Sequence, residues 1–97
     1  MMVLITYDVS VTSKGGTKRL RHISKLCLDY GIRVQQSVFE CDIYPAQWVD
    51  LKTALLSTYD PENDSLRFYM LGSNWQKRVE HHGSKATLDT FNDPIIL

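Results

Sequence analysis

The chain opens on the stretch Val3-Leu4-Ile5-Thr6-Tyr7-Asp8-Val9, and this stretch decides the fold. Apolar and β-branched residues dominate it, which is typical of a strand at the centre of a sheet. Asp8 departs from the pattern, because an ionised carboxylate is costly to bury. We therefore place Asp8 where the strand meets water, or where a metal ion takes the place of water.

A polar loop that contains glycine follows this strand and leads into the first helix. Apolar residues recur in the helix at intervals of three or four positions, namely at Leu20, Ile23, Cys27 and Tyr30. This spacing is typical of a helix with one buried face. Thr17 is the predicted N-cap, and Gly31 is predicted to end the helix.

The first turn of this helix is predicted to carry Lys18, Arg19 and Arg21. The helix dipole is already positive there, and acidic residues would each stabilise the helix by about 0.3 to 1 kcal/mol. Because helix N-termini also bind anions, the three cations indicate a phosphate-binding turn, with an ordinary solvated helix face as the alternative. A strand-end carboxylate facing such cations is typical of metal-assisted phosphodiester chemistry.

Strand formers return after the first helix, but a polar interruption at 35–37 leaves their arrangement open. The segment 32–43 is either one bent strand or a short hairpin. Pro45 is the predicted first residue of a second helix. The buried face of that helix is predicted from three residues, Trp48, Leu51 and Leu55.

Two more strands are predicted towards the end of the chain. The first covers 66–71 and should place Leu66, Phe68 and Met70 on its buried face, and a weaker strand pattern covers 76–82. The order of all elements predicts an α+β fold, a single domain over 1–97. In it a ferredoxin-like sheet carries both helices on one face.

The predicted first strand is apolar on both faces, so both faces require cover. A second copy related by a twofold axis is the simplest cover, which predicts a homodimer. The apolar segment from Pro94 to Leu97 predicts an extra C-terminal strand. It would join its own sheet or the sheet of the partner, and we favour exchange with the partner.

The composition narrows the choice of function. With 11 basic and 11 acidic residues the net charge is zero, which argues against a generic polycation that coats nucleic acid. Neither Cys27 nor Cys41 has a spacing that suits zinc, and both are predicted to be buried, reduced thiols. No apolar stretch approaches the roughly 20 residues of a membrane span, and the start lacks a signal peptide, so we expect a soluble, cytoplasmic protein.

Five pieces of sequence occur in order along the chain, namely the strand ending in Tyr7-Asp8, Lys18-Arg19-Leu20-Arg21, Arg33-Val34-Gln35, Ser37-Val38-Phe39-Glu40 and the strand over 66–71. Together they resemble the CRISPR-associated protein two family, the small adaptation proteins of spacer acquisition. The stretch Asp64-Ser65-Leu66-Arg67-Phe68-Tyr69, followed by Val79-Glu80-His81, resembles the form found with type I-C systems. The resemblance implies a homodimeric, metal-dependent endonuclease that cuts RNA or duplex DNA and acts with the CRISPR integrase.

Carried over residue by residue, the resemblance assigns the catalytic, metal-binding aspartate to Asp8, with Mg²⁺ or Mn²⁺ as the cofactor. Nucleic-acid-binding or supporting roles fall on Tyr7, Lys18, Arg19, Arg21, Arg33, Ser37 and Phe39, where Lys18 is included because of its place beside the two arginines. One carboxylate alone is a poor magnesium site, and a twofold dimer would bring two copies of Asp8 together.

Other interpretations compete with a nuclease. A lone aspartate at a strand end is more often a turn residue than a ligand. A non-catalytic dimer that holds duplex DNA between integrase subunits would use the same basic turn and would not need Asp8. A small-molecule regulatory domain is a third interpretation, which the basic cluster disfavours.

Overall fold

The computed structural model describes residues 1–83, which form four strands and two helices in the order βαββαβ. The elements are β1 Met2–Asp8, α1 Gly16–Tyr30, β2 Ile32–Gln35, β3 Val38–Asp42, α2 Pro45–Thr58 and β4 Ser65–Gly72. All strand pairs are antiparallel, and the sheet order is β2-β3-β1-β4. This topology confirms the predicted α+β, ferredoxin-like fold. The predicted C-terminal strand over 94–97 lies outside the described residues.

The core lies between the sheet and the two helices. From β1, the alternate residues Val3, Ile5 and Tyr7 point into it, as the sequence predicts. Ile23 and Cys27 of α1 and three residues of α2, Trp48, Leu51 and Leu55, cover them. Because one cluster contains residues from both helices and from one face of β1, both helices lie on the same side of the sheet.

The other face of the sheet carries Leu4 and Thr6, which are half-buried even though no helix covers that side within the described chain. Tyr69 of β4 lies directly opposite Leu4 and is exposed. Met70 was predicted in the core beside Leu66 and Phe68, and here the prediction is wrong, since 52% of its surface is exposed. It lies opposite Val3 on an edge strand, which within 1–83 has a neighbouring strand on one side only.

The first helix begins earlier than predicted. Gly15, in the left-handed conformation with φ of 74°, is the N-cap in place of Thr17, so the helix includes Gly16. As a result Lys18 lies in the first turn, whereas Arg21 lies in the second. Gly31 ends the helix in extended backbone and donates its N–H to the carbonyl of Cys27.

The segment 32–43 is a hairpin. Gln36 and Ser37 form the turn between β2 and β3, so the polar interruption in the sequence marks that turn. The prediction of a weaker strand over 76–82 is wrong. A 3₁₀-helix occupies Trp75–Lys77, and the carbonyl of Trp75 accepts the N–H groups of both Arg78 and Val79. These local bonds occupy groups that a strand would use in a sheet.

No helix within residues 1–83 is both long and apolar enough to cross a membrane.

Candidate active site

Asp8 is the last residue of β1 and is exposed. It pairs with Ser65 at the start of β4, so the backbone around it is fixed by the sheet. Strand alternation directs its side chain to the face opposite Tyr7. Within residues 1–83 no hydrogen bond or ion pair engages its carboxylate. The carboxylate is therefore available to an external ligand.

Tyr7, Ser37 and Phe39 lie on the packed side of the strand exit. Tyr7 and Phe39 are buried, and their rings stack with centroids 6.1 Å apart. The backbone N–H of Tyr7 donates to the carbonyl of Ser37 over 3.1 Å. These contacts hold β1 against the turn between β2 and β3. All three residues therefore support the backbone next to Asp8 and do not lie beside its carboxylate.

Arg33 lies on β2 directly opposite Phe39. Its guanidinium carbon is 5.1 Å from the centroid of the Phe39 ring, a cation–π geometry, and the residue is exposed. Since Phe39 belongs to the core, Arg33 lies on the helix side of the sheet, whereas the carboxylate of Asp8 points to the other side.

Arg19 is bound within the chain. Its Nε donates to Oδ2 of Asp64 over 2.8 Å, and its Nη2 donates to Oγ of Ser13 over 2.6 Å. A third bond runs from Nη1 to the carbonyl of Lys14 over 2.7 Å. The Asp64 side chain is fully buried. Most of the donors of Arg19 thus serve the fold around the loop after Asp8.

Each member of this ion pair stabilises the charged form of the other. The hydrogen bond from Arg19 is the main cause that lowers the pKa of Asp64, and the same bond raises the pKa of Arg19. Asp64 was not among the predicted site residues, because the sequence shows only an acidic turn before a strand. No local signal singles it out, because only the pairing of β4 with β1 in the folded chain brings it near Arg19 and Ser10.

Lys18 and Arg21 are both exposed, and within 1–83 neither forms an ion pair. Lys18 lines a shallow pocket between the start of α1 and the end of α2. The other residues that line it are Gly15, Arg19, His22, Ser57 and Thr58. Two of the three predicted cations are therefore available at the surface, whereas the guanidinium of Arg19 is hydrogen-bonded within the chain.

Metal binding at Asp8 has to be judged from its donor set. Among residues 1–83 there is no group of three or more His, Cys, Asp or Glu side chains that could hold an ion. Burial raises the pKa of Cys27 and of Cys41 to about 12, so neither offers a thiolate. Asp8 therefore offers one carboxylate, and Mg²⁺ or Mn²⁺ bound there would keep several waters and would also need substrate phosphate or a second carboxylate.

A comparison with protein families shows the family to which the chain belongs. The model of the family "CRISPR associated protein Cas2" matches residues 1–79. The chain belongs to the Cas2 family. This is the family that the sequence motifs resemble, and the prediction is confirmed.

Relatives in the Cas2 family match this chain over nearly its whole length. The CRISPR-associated endoribonuclease Cas2 of Chlorobaculum tepidum is 60% identical over 89 residues, covering 92% of this chain and 93% of the relative. The CRISPR-associated endonuclease Cas2 of Halalkalibacterium halodurans is 54% identical over 96 residues, 99% of each chain. The crystal structure of Streptococcus pyogenes Cas2 at pH 6.5 superposes with a TM-score of 0.73 at 59% identity, covering 86% of this chain and all of that one.

Proposed function

We propose that this protein is a metal-dependent endonuclease of the CRISPR adaptation machinery, which hydrolyses phosphodiester bonds in RNA or duplex DNA and acts with the CRISPR integrase. The observation that carries the proposal is the exposed Asp8 carboxylate at the end of a central strand, without a partner in 1–83. The names endoribonuclease and endonuclease of the relatives support the same reaction class.

In this proposal Asp8 holds Mg²⁺ or Mn²⁺. A bound ion of this kind would neutralise negative charge on the phosphoryl oxygens and would lower the pKa of a bound water. The exposed cations Lys18 and Arg21 contact phosphates of the nucleic acid. Arg33 is also exposed and carries its charge at the opposite edge of the sheet from β4.

A homodimer would complete the metal site. The face of the sheet to which Asp8 points also carries Leu4 and the exposed Tyr69, and no helix in the described part of the chain covers it. A second copy packed on this face would bury these apolar groups and bring two Asp8 carboxylates together. Two carboxylates plus substrate phosphate are a common donor set for Mg²⁺.

A second candidate function is a non-catalytic dimer that bridges integrase subunits on duplex DNA. It is favoured by one observation, the lack of any cluster of three metal-ligating side chains in 1–83. A scaffold of this kind would use Lys18 and Arg21 and would not depend on Asp8.

The experiment that separates the two functions is Asp8→Asn, which keeps the size of the side chain and removes its charge. We expect cleavage of labelled RNA and duplex DNA with Mg²⁺ or Mn²⁺ to be abolished, with the circular dichroism and the oligomeric state unchanged. Asp29→Asn is the matched control, because Asp29 is exposed on α1 and its one ion pair within residues 1–83 is with Lys25 at 3.6 Å.

Spacer acquisition by the same variants is measured in parallel. Loss of both cleavage and acquisition supports the nuclease, with cleavage required for spacer acquisition. Loss of cleavage with normal acquisition supports the scaffold, and undiminished cleavage by pure Asp8→Asn protein would overturn the assignment of Asp8.

A further inference from the structure

A buried ion pair joins the start of β4 to the loop that follows Asp8. The two oxygens of Asp64 accept four hydrogen bonds within the chain. Two come from Arg19, over 2.8 and 3.3 Å, and two come from the backbone N–H groups of Ser10, over 3.0 Å, and Asp60, over 2.9 Å. The side chain of Asp64 is 0% exposed and that of Arg19 is 15% exposed. This carboxylate therefore organises three separate segments.

The loop between β1 and α1 is held from several sides. Oγ and N–H of Ser13 both donate to the carbonyl of Ser10, over 2.6 and 3.2 Å. Arg19 binds Oγ of Ser13 and the carbonyl of Lys14, so the guanidinium reaches across the whole loop. The hydrogen bond from Ser10 to Asp64 then ties the loop to β4.

Asp8 lies between the two points that Asp64 fixes. On one side Ser65, the neighbour of Asp64, pairs with Asp8 in the sheet. On the other side Ser10, two residues beyond Asp8, donates its N–H to Asp64. Asp64 is therefore connected to the backbone on both sides of Asp8, through Ser65 and through Ser10.

Stability is a poor explanation for such a pair. Burying two charges costs desolvation energy that can exceed the gain from their attraction, and apolar replacements are often equally stable or more stable. A buried ion pair is better explained by a need to hold the surrounding backbone in one defined geometry. Groups that hydrogen-bond to a metal ligand and fix its orientation are a known case, and their removal typically lowers metal affinity or activity by about 10- to 100-fold. Asp64 would act on Asp8 through the backbone of Ser10 and Ser65.

We propose that Asp64 is a positioning residue for Asp8, and that it acts through Arg19 and through the backbone of Ser10 to hold the strand exit in the geometry that divalent metal binding requires. This inference rests on the proposed function, since it takes Asp8 to be the metal ligand. It also changes the role of Arg19, which the resemblance assigns to nucleic-acid binding or support, to that of a link between Asp64 and the loop.

The test is a Mn²⁺ titration of the full-length protein and of Asp64→Asn, which replaces one acceptor oxygen by a donor facing Arg19. Two readouts are followed, the cleavage rate and the paramagnetic broadening of the Asp8 and Val9 amide resonances. We expect the Mn²⁺ concentration at half effect to rise about tenfold in both. The cleavage rate at saturating Mn²⁺ should return to that of the wild type. Circular dichroism of the metal-free variant should match that of the wild type, which excludes a decrease in folded protein as the cause of the raised midpoint.

Asp29→Asn is again the matched control, because it removes an ion pair on α1 that has no link to the loop. Arg19→Ala should raise the Mn²⁺ midpoint to a similar extent, and the double variant of Arg19 and Asp64 should shift it no further than the larger single effect. If Asp64→Asn fails to fold, Arg19→Lys, which keeps the charge and removes the forked geometry, takes its place in the titration.

Two results would overturn the positioning role. An unchanged Mn²⁺ midpoint in a folded variant is the first, and a raised midpoint with a cleavage rate that stays below that of the wild type at saturating Mn²⁺ is the second. The wild-type protein separates this failure from failure of the proposed function. If Mn²⁺ does not broaden the Asp8 resonance of the wild type at all, the metal assignment itself is wrong and the positioning role falls with it.

Discussion

The hydroxyl oxygen of Tyr7 lies 2.8 Å from Oγ of Ser24, so the residue next to Asp8 is bound to the middle of α1. The ring of Tyr7 also stacks on Phe39. Because successive side chains of a strand point to opposite faces, the carboxylate of Asp8 faces away from this packing. A buried aromatic residue thus anchors the strand exit, and the adjacent carboxylate is exposed.

We expect Tyr7→Phe to lower the free energy of unfolding by about 0.5 to 1.5 kcal/mol, since it removes one hydrogen bond and keeps the ring. Ser24→Ala removes the other partner, and the double variant should cost less than the sum of the two single variants. Urea unfolding of the four proteins gives the coupling. Strict additivity would show that the hydroxyl groups do not interact in solution.

Local patterns in the sequence were sufficient to predict most of the fold. Alternation placed Val3 and Ile5 in the core, and helical spacing did the same for Ile23 and Cys27. The errors arose where tertiary contacts override a local signal. Thr17 is a good N-cap residue, but the close approach of Gly16 to the preceding loop allows the helix to begin earlier.

Gly16 should not tolerate alanine. A Cβ atom there would lie 2.1 Å from the carbonyl oxygen of Ser10 and 2.8 Å from Cα of Val11, so backbone has to move. Helix propensity alone predicts a gain of about 1 kcal/mol for Gly16→Ala, whereas we expect a decrease of about 3 kcal/mol or more in the free energy of unfolding from the clash. Thermal and urea unfolding measure which of the two dominates.

Gly72→Ala is the control for this prediction. Gly72 has φ of 76°, but nothing lies within 4 Å of a Cβ placed there. Only the left-handed backbone is penalised, at about 1 to 2 kcal/mol. A destabilisation at Gly16 no larger than that at Gly72 would mean that the loop after Asp8 yields easily.

The candidate site was predictable only in part. Asp8, Lys18 and Arg21 lie at the surface, where a strand end and a helix start should put them. The partner of Arg19 could not be foreseen, since Asp64 is 45 residues away along the chain and only the pairing of β4 with β1 brings it near. Periodicity describes which face a residue occupies, but it does not reveal which distant charge it meets.

Acid should remove the contribution of Asp64 to stability. Its pKa is lowered in the folded protein, chiefly by the hydrogen bond from Arg19, so the unfolded chain takes up the proton at a higher pH. The contribution is complete above the ordinary aspartate pKa of about 3.9 and disappears as the pH falls through the lowered value. We expect the difference in Tm between the wild type and Asp64→Asn to be constant from about pH 7 to about pH 5 and to shrink below about pH 4. A difference that stays constant in strong acid would contradict the ionic character of the pair.

The surface cations Lys18 and Arg21 give the last prediction, because both are exposed and outside the Asp64 network. If each binds a phosphate, the double variant Lys18→Ala/Arg21→Ala should bind duplex DNA more weakly on every sequence. The slope of log K against log salt should fall by about two units, one for each phosphate that is no longer neutralised. Lys18 opposes the helix dipole in the first turn, so folding should be unaffected or slightly better.

Lys25→Ala is the matched control, since Lys25 is an exposed cation on the same helix that pairs with Asp29. Its removal should change the salt slope little, because its charge is already partly balanced. Arg19 is left intact in both proteins, so that any change in binding reflects the missing cations and not a disturbed loop. Equal slopes for the wild type and the double variant would return Lys18 and Arg21 to an ordinary solvated helix face, and DNA binding would then have to use other cations of the chain.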